Sequence, residues 1–262
     1  MRFKQFLNEN TNTKELLEGL QLVYTNCMPY IKDLVKEGYS YIKKNQDVLY
    51  SGKNDNNSII TKTVRTDRNP MNTEYDLHLF LDRQFYKKFK IKPRSSAVFC
   101  SGAFQTADGY GTPYLIFPVN KYQIIWSNKI RDLYLDFDKS FLRYWTQKYH
   151  DERSKIFANF TNDEIRKNLK KYPYEFLILP DNNKFMKSFV KDMEKEVFST
   201  YQKGNLMDAI KSKHEIMVIC KSYIGLKHSI FNRVVKQYID QNKTTFPTDE
   251  IFYEWYHKYI GG

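Results

Sequence analysis

The chain has 262 residues, with 42 Lys and Arg against 30 Asp and Glu, a formal net charge of +12. Apolar residues make up 41% and aromatic residues 16%, enough ring surface to exclude a disordered chain, while only 10 Gly and 8 Pro exclude collagen-like and low-complexity architectures. That length suits one or two domains with a real core. Cys27, Cys100 and Cys220 lie far apart, and the five histidines are equally scattered, so neither a disulfide framework nor zinc-ligand spacing is present and no metal is expected. No apolar run approaches the roughly 18 residues of a membrane span, so no membrane partner is expected.

In chain order, residues 1–9, MRFKQFLNE, read as a short leader. Helical spacing follows over 14–24 (Leu16, Leu17, Leu20) and 29–49 (Ile31, Leu34, Val35, Tyr39, Ile42). Residues 51–58, SGKNDNNS, read as a polar loop and the best boundary. Ile59 to Thr66 is a β-branched, strand-like run broken by Asn69-Pro70, and Glu74 to Phe89 has helical spacing through Leu77, Phe80, Leu81 and Phe85. Ala97 to Cys100, Tyr114 to Val119 and Tyr122 to Trp126 read as strands, punctuated by Gly102, Gly109, Gly111 and Pro113.

Residues 130–171 are helical and highly charged in pattern, Tyr174 to Leu179 is a short strand, and 183–203 is helical again. Glu215 to Cys220 and Tyr223 to Leu226 read as two strands, and helices over 229–238 and 249–259 close the chain. The fold class expected is α+β. The basic residues are spread out. The densest run is Lys87, Lys88, Lys90, Lys92 and Arg94, which reads either as a solvated helix face or as a nucleic-acid patch.

Walker A, GxGxxG, HExxH and GxSxG signatures are absent, so chemistry must rest on a subtler constellation. Three segments qualify. In TKTVRTDRNP (61–70), Arg65 on a strand, with Arg68 after it, suits a phosphate through a forked pair of hydrogen bonds; an ion pair with Asp67 is the structural alternative. In 94–111, a short apolar strand ends at Ser101-Gly102, where small residues let a ligand approach the backbone; a plain tight turn is the alternative. In 211–227, Glu215 stands where a polar stretch becomes the apolar run IMVIC, a place where a carboxylate can be held rigid and partly desolvated; a solvent-facing strand edge is the alternative.

Taken in order, Arg65, the run Phe99-Cys100-Ser101-Gly102-Ala103 with Ala107 and Tyr110, and Glu215 opening EIMV resemble the arginine–serine–glutamate branch of the ADP-ribosyltransferase superfamily. In that branch a first-strand arginine precedes an F-x-S-T-S segment, and a late strand begins with the catalytic glutamate. YGTPYLIFP is similar to the strand that follows. The resemblance implies a split β-sandwich that binds NAD as substrate. It covers about residues 59–127 and 204–227.

It implies Glu215 and Ser101 as catalytic residues, Glu215 taking the ribose hydroxyl and stabilising the cationic sugar. Arg65, Arg68, Ser101, Gly102 and Tyr110 would bind NAD, Arg65 on a phosphate and Tyr110 stacked on nicotinamide. The chain departs from the pattern in reducing S-T-S to Ser101-Gly102-Ala103, and in carrying Lys213 where many members have Glu or Gln.

The start, with Leu7-Asn8-Glu9, is similar to the head-targeting leaders of T-even-like phage internal proteins, which implies a virion interior or a host cytoplasm. The expected layout is a leader at 1–9, a helical segment at 10–50, an ADP-ribosyltransferase-like core at 59–227 with a helical insertion near 130–210, and C-terminal helices at 228–262. The expected function is NAD-dependent mono-ADP-ribosyl transfer to a host protein or nucleic-acid acceptor. The alternative is a catalytically inactive phage head or DNA-associated protein that keeps the fold and contacts DNA non-specifically. A third reading, RNA processing by a pair such as Glu74 and His78, competes with a plain surface pair one helical turn apart.

Overall fold

A computed structural model describes residues 11–36, 48–68, 75–136 and 184–232. The leader, Glu74, the strand expected at 174–179 and the helix expected at 249–259 lie outside these residues. The chain forms two compact units, one from residues 1–64, 97–126 and 203–262, the other from 65–96 and 127–202.

The first unit opens with α1 (Thr11–Asn26) and α2 (Met28–Lys36). Its strands are β1 (Tyr50–Lys53), β2 (Ile59–Thr63), β3 (Val98–Ser101), β4 (Thr112–Pro118), β5 (Tyr122–Ser127), β7 (Glu215–Cys220) and β8 (Ser222–Lys227). With β6 (Tyr201–Lys203) they make an eight-stranded sheet in the order β2-β8-β4-β1-β3-β7-β5-β6. Neighbouring strands from β2 through β5 in that order pair antiparallel. The architecture is α+β.

The polar stretch 51–58 is not all loop: Ser51, Gly52 and Lys53 complete β1, which lies between β4 and β3. Tyr50 anchors that strand in the core at 1% exposure, and register then carries the polar residues that follow it. A second departure concerns the two late strands. They look like a hairpin, yet β4, β1 and β3 lie between β7 and β8 in the sheet. Four strand spacings are about 19 Å at ~4.8 Å each. Lys221 alone separates Cys220 from Ser222, and two residue steps span at most about 7 Å. A flat sheet is impossible, so the sheet folds over itself and brings the end of β7 to the start of β8.

β1 and β3 are joined in register through the pair Tyr50↔Ser101. Consistent with the closure, the Lys53 ammonium of β1 sits 5.2 Å from the centroid of the Tyr223 ring at the start of β8. Val98, Cys100, Tyr114, Ile116, Ile124, Trp126, Ile216 and Val218 are buried in one continuous core.

The two N-terminal helices cover β8 and β4. Cys27 Sγ donates to the Phe117 carbonyl at 3.5 Å, and the Tyr30 ring meets Phe117 and Tyr122 edge-on with centroids 5.9 and 5.6 Å away. Two further helices belong to this unit, α5 (Phe104–Asp108) and α8 (Leu206–Ser212).

The second unit contains α3 (Tyr75–Phe89), the single turn α4 (Pro93–Ser96), the short α6 (Leu133–Asp136), α7 (Lys184–Glu196) and a tight turn over Phe198–Thr200. The 3.6-residue spacing of Leu77, Phe80, Leu81 and Phe85 buries one face of α3. Phe80 packs on Phe189 at 5.5 Å, and Phe85 meets Phe198 and Tyr201 edge-on at 5.2 and 4.9 Å.

Candidate functional site

Ser101 and Glu215 come together. They are direct register partners on β3 and β7, so their side chains share one face of the sheet, and Tyr50 of β1 continues the same row. Glu215 is half-buried at the first position of a strand whose next three residues are buried. Its neighbours explain its fixed place. Lys213, two residues earlier, ends α8 in a left-handed conformation with φ 60°, its N–H donating to the Ile210 carbonyl.

Ser101 is 2% exposed. Its hydroxyl donates to the Lys213 carbonyl at 2.9 Å and accepts the Ala103 N–H at 3.1 Å. Those bonds tie the end of β3 to the turn that delivers Glu215. Ser101 is therefore a positioning group for the Glu215 turn, two bonds deep in the backbone. Gly102 also has a definite reason. A Cβ there would lie 1.8 Å from the Ile210 carbonyl oxygen, so the close approach that glycine permits is made by the end of α8.

Tyr110 follows α5 in a turn, 57% exposed, its N–H donating to the Ala107 carbonyl. That turn is pressed onto β1, because a Cβ on Gly52 would lie 2.2 Å from the Ala107 oxygen. Tyr110 thus stands beside Gly52, two residues along β1 from the Tyr50 that faces Ser101.

Arg65 and Arg68 belong to the second unit. The strand-like run ends earlier than the sequence suggests: β2 stops at Thr63, and the chain bends at Thr66 and Asp67. β2 is also an edge strand, with β8, β4 and β1 between it and β3. Arg65 is exposed, and its Nε lies 3.5 Å from Asp67 Oδ1, the ion pair weighed above. Such an exposed pair contributes at most about 1 kcal/mol. The backbone N–H of the half-buried Arg68 donates to the Ser95 carbonyl. The strand beside β3 is β1, and the cation it carries is Lys53.

Sequence reasoning also passed over His228. Its ring lies tilted 4.3 Å from Phe104 and meets Tyr50 edge-on at 5.5 Å, and Asn232 Nδ2 lies 2.8 Å from its Nε2. Burial holds His228 below its ordinary value against the opposing pull of Asp108. Tyr50, Phe104 and His228 therefore form a packed aromatic group next to the Ser101–Glu215 row. No local motif marks it, since its members come from positions 50, 104 and 228.

All three thiols are held in the protonated form by their environment, Cys27 and Cys100 buried and Cys220 half-buried. Burial pushes Cys27, Cys100 and Cys220 each up to about 12, with Lys53 drawing Cys100 and Cys220 slightly back.

The second unit holds one more chemically rich cluster. His78 and Asp82 are 3% and 2% exposed one turn apart on α3. Asp82 accepts the Arg94 N–H at 2.7 Å and the Ser95 hydroxyl at 2.5 Å, and the Ser95 hydroxyl lies 3.0 Å from His78 Nε2. Burial depresses His78, Asp82 opposes this, and Arg94 and Arg68 reinforce it. With serine between the acid and the histidine, the cluster ties α4 to α3 and does not have the relay order of a hydrolase triad. Glu74 lies outside the described residues, so the pairing with His78 receives no geometry.

Among the described residues, no group of three or more His, Cys, Asp or Glu is placed to hold a metal ion, and no helix is long and apolar enough to cross a membrane. Compared with family models, curated proteins and solved structures, the chain matches none.

Proposed function

We propose that the chain is an ADP-ribosyltransferase of the arginine–serine–glutamate kind, built on a split β-sandwich and using NAD as substrate. One observation carries the reading: Ser101 and Glu215, 114 positions apart by their numbers, face one another in register on adjacent strands. The resemblance requires those two segments to converge on one site, and they do.

In the reaction the bond between nicotinamide nitrogen and ribose C1′ breaks, the electron pair leaves with neutral nicotinamide, and an acceptor attacks C1′ while losing its proton. The transition state carries positive charge on the sugar. Glu215 supplies the anion that accepts the ribose hydroxyl's hydrogen bond and stabilises that charge. Ser101 acts through the Lys213 carbonyl to hold the Glu215 turn. Lys53 of β1, the strand next to Ser101, stands three positions from Tyr50 and so on the opposite face of the sheet, its ammonium 5.2 Å from the Tyr223 ring, and takes no part in the site. Tyr110 offers an exposed ring near that strand. The acceptor is a host protein or nucleic acid, and the +12 charge favours an acidic one.

Glu215→Gln is expected to keep NAD binding in calorimetry while nicotinamide release falls by roughly 10²–10³. Full turnover in that variant removes Glu215 from the mechanism.

A second reading has its own support. The Ser101 hydroxyl is committed to backbone groups, and β1 carries buried Ser51, bonded to the Phe99 carbonyl at 2.7 Å, and no arginine. A phage head protein that keeps the fold without turnover fits those facts. Wild-type protein that neither binds NAD nor releases nicotinamide decides for it.

A further inference from the structure

We propose that the solvent face of α3, with the chain that folds back from its end, is a binding site for single-stranded nucleic acid centred on Tyr86. This inference is independent of the NAD reading.

The face is aromatic where a helix exposed only to water would be polar. Tyr75, Leu79 and Tyr86 are 57%, 41% and 49% exposed. At 100° per residue they fall within about 40° of one another around the helix, and the stretch from Tyr75 to Tyr86 is roughly 16 Å long.

The charge is one-sided. Residues 83–94 contain Arg83, Lys87, Lys88, Lys90, Lys92 and Arg94 and no Asp or Glu. Not all of these reach a ligand. Lys88 donates to the Phe198 and Tyr201 carbonyls at 2.5 and 2.8 Å, with Glu194 acting on it, and Arg94 is 8% exposed. Lys87, Lys90 and Lys92 remain exposed. α3 carries two carboxylates, Asp76 next to Tyr75 in sequence and Asp82; Asp82 is buried and bonded to Arg94 and Ser95, and the Tyr86 end of the helix has none.

Tyr86 itself is framed by cations. The ammoniums of Lys90 and Lys92 stand 5.7 and 6.0 Å from its ring centroid. The backbone makes this frame. Lys90 ends the helix at φ 60°, its N–H donating to the Tyr86 carbonyl, a left-handed stop that glycine takes without steric cost. A lysine there keeps a positive charge over the ring.

An exposed ring with two ammoniums beside it suits a nucleotide whose phosphates draw the lysines off the ring while its base stacks on the tyrosine. A duplex hides its base faces, so only the phosphate part of this site would act on it. The partner is therefore single-stranded.

The test uses the full-length protein and a labelled oligothymidylate of roughly 20 nucleotides, longer than the ~4–16 that one small binding fold covers. Anisotropy is followed from about 50 to 200 mM salt, with a duplex of equal length beside it. The single strand is expected to bind more tightly than the duplex. Tyr86→Ala is expected to weaken the single strand by about five-fold or more with an unchanged salt slope. Tyr86→Phe keeps affinity, and Tyr86→Leu, which retains apolar bulk without the π-face, loses it. Lys90→Ala with Lys92→Ala lowers the slope of log K against log salt by about 1.4, from ~0.7 per phosphate. The proposal is overturned if the oligothymidylate does not bind, if Tyr86→Ala and Tyr86→Leu stay within about two-fold of wild type, or if they weaken the duplex equally. An equal loss of slope on removing exposed Lys121 and Lys221 also overturns it.

Discussion

Gly102→Ala separates a structural reading of the Ser101-Gly102-Ala103 turn from a ligand-binding one. The added methyl carbon would begin 1.8 Å from the Ile210 carbonyl oxygen and 2.6 Å from its carbon. Real Cβ contacts essentially never fall under 3.0 Å, so the last turn of α8 must retreat by about 1.2 Å or the end of β3 must shift. Backbone stands on both sides, so no side-chain rotation relieves the clash. The same turn holds Lys213, whose carbonyl receives the Ser101 hydroxyl, so a retreat also stretches that 2.9 Å bond.

Overpacking costs about 1–3 kcal/mol, and a rigid contact lies at the upper end, so about 2–3 kcal/mol is expected. At ~2–4 °C per kcal/mol for a chain of this size, the melting midpoint should fall by roughly 4–12 °C. Urea and thermal unfolding by far-ultraviolet circular dichroism measure it. Gly109→Ala is the control, since Gly109 has φ −65° and a methyl added there would meet its nearest atom at 3.6 Å; it should stay within about 1 kcal/mol of wild type. If Gly102→Ala unfolds within about 0.5 kcal/mol of wild type, the α8 contact does not constrain the turn and the space belongs to something else.

Two further outcomes follow from burial. His78 and His228 titrate below their ordinary value near 6.5 because folding buries them, so the unfolded chain binds more protons as pH falls below that value. Stability should therefore be full above about pH 7 and decline as pH drops through 6.5, by up to ~1.36 kcal/mol per pH unit for each histidine; His78→Gln should flatten the decline in urea midpoints measured between those limits, and an unchanged curve would count against the assignment. With all three thiols raised to about 12, an aromatic disulfide reagent at pH 8 should leave Cys27 and Cys100 unlabelled in the native protein and label all three in denaturant, as read by mass spectrometry.

Much of the local structure was legible in the chain. The run Glu215 to Cys220 is strand β7 as its apolar texture indicates, and Tyr122 to Trp126 is β5 extended by Ser127. The helical spacing from Glu74 to Phe89 becomes α3. Elsewhere the local pattern misled. Residues 183–203 have helical spacing, yet α7 stops at Glu196 and Tyr201 to Lys203 turns extended. The short α8 opens on an N-cap residue type, Asn205 before Leu206 and Met207, but its end at left-handed Lys213 carries no glycine or asparagine stop in sequence.

Composition and periodicity determined that this protein is globular, α+β, without a span-length apolar helix among the described residues, and built on short buried strands. Those properties depend on burial of side chains within a few residues of each other, and the chain records them directly. Only the tertiary structure decided which strands meet: that a polar stretch at 51–53 lies beside the Ser101 strand, and that one residue links strands standing far apart in sheet order. Pairing depends on register and closure between distant segments. Many such pairings satisfy the same local pattern, and packing selects one.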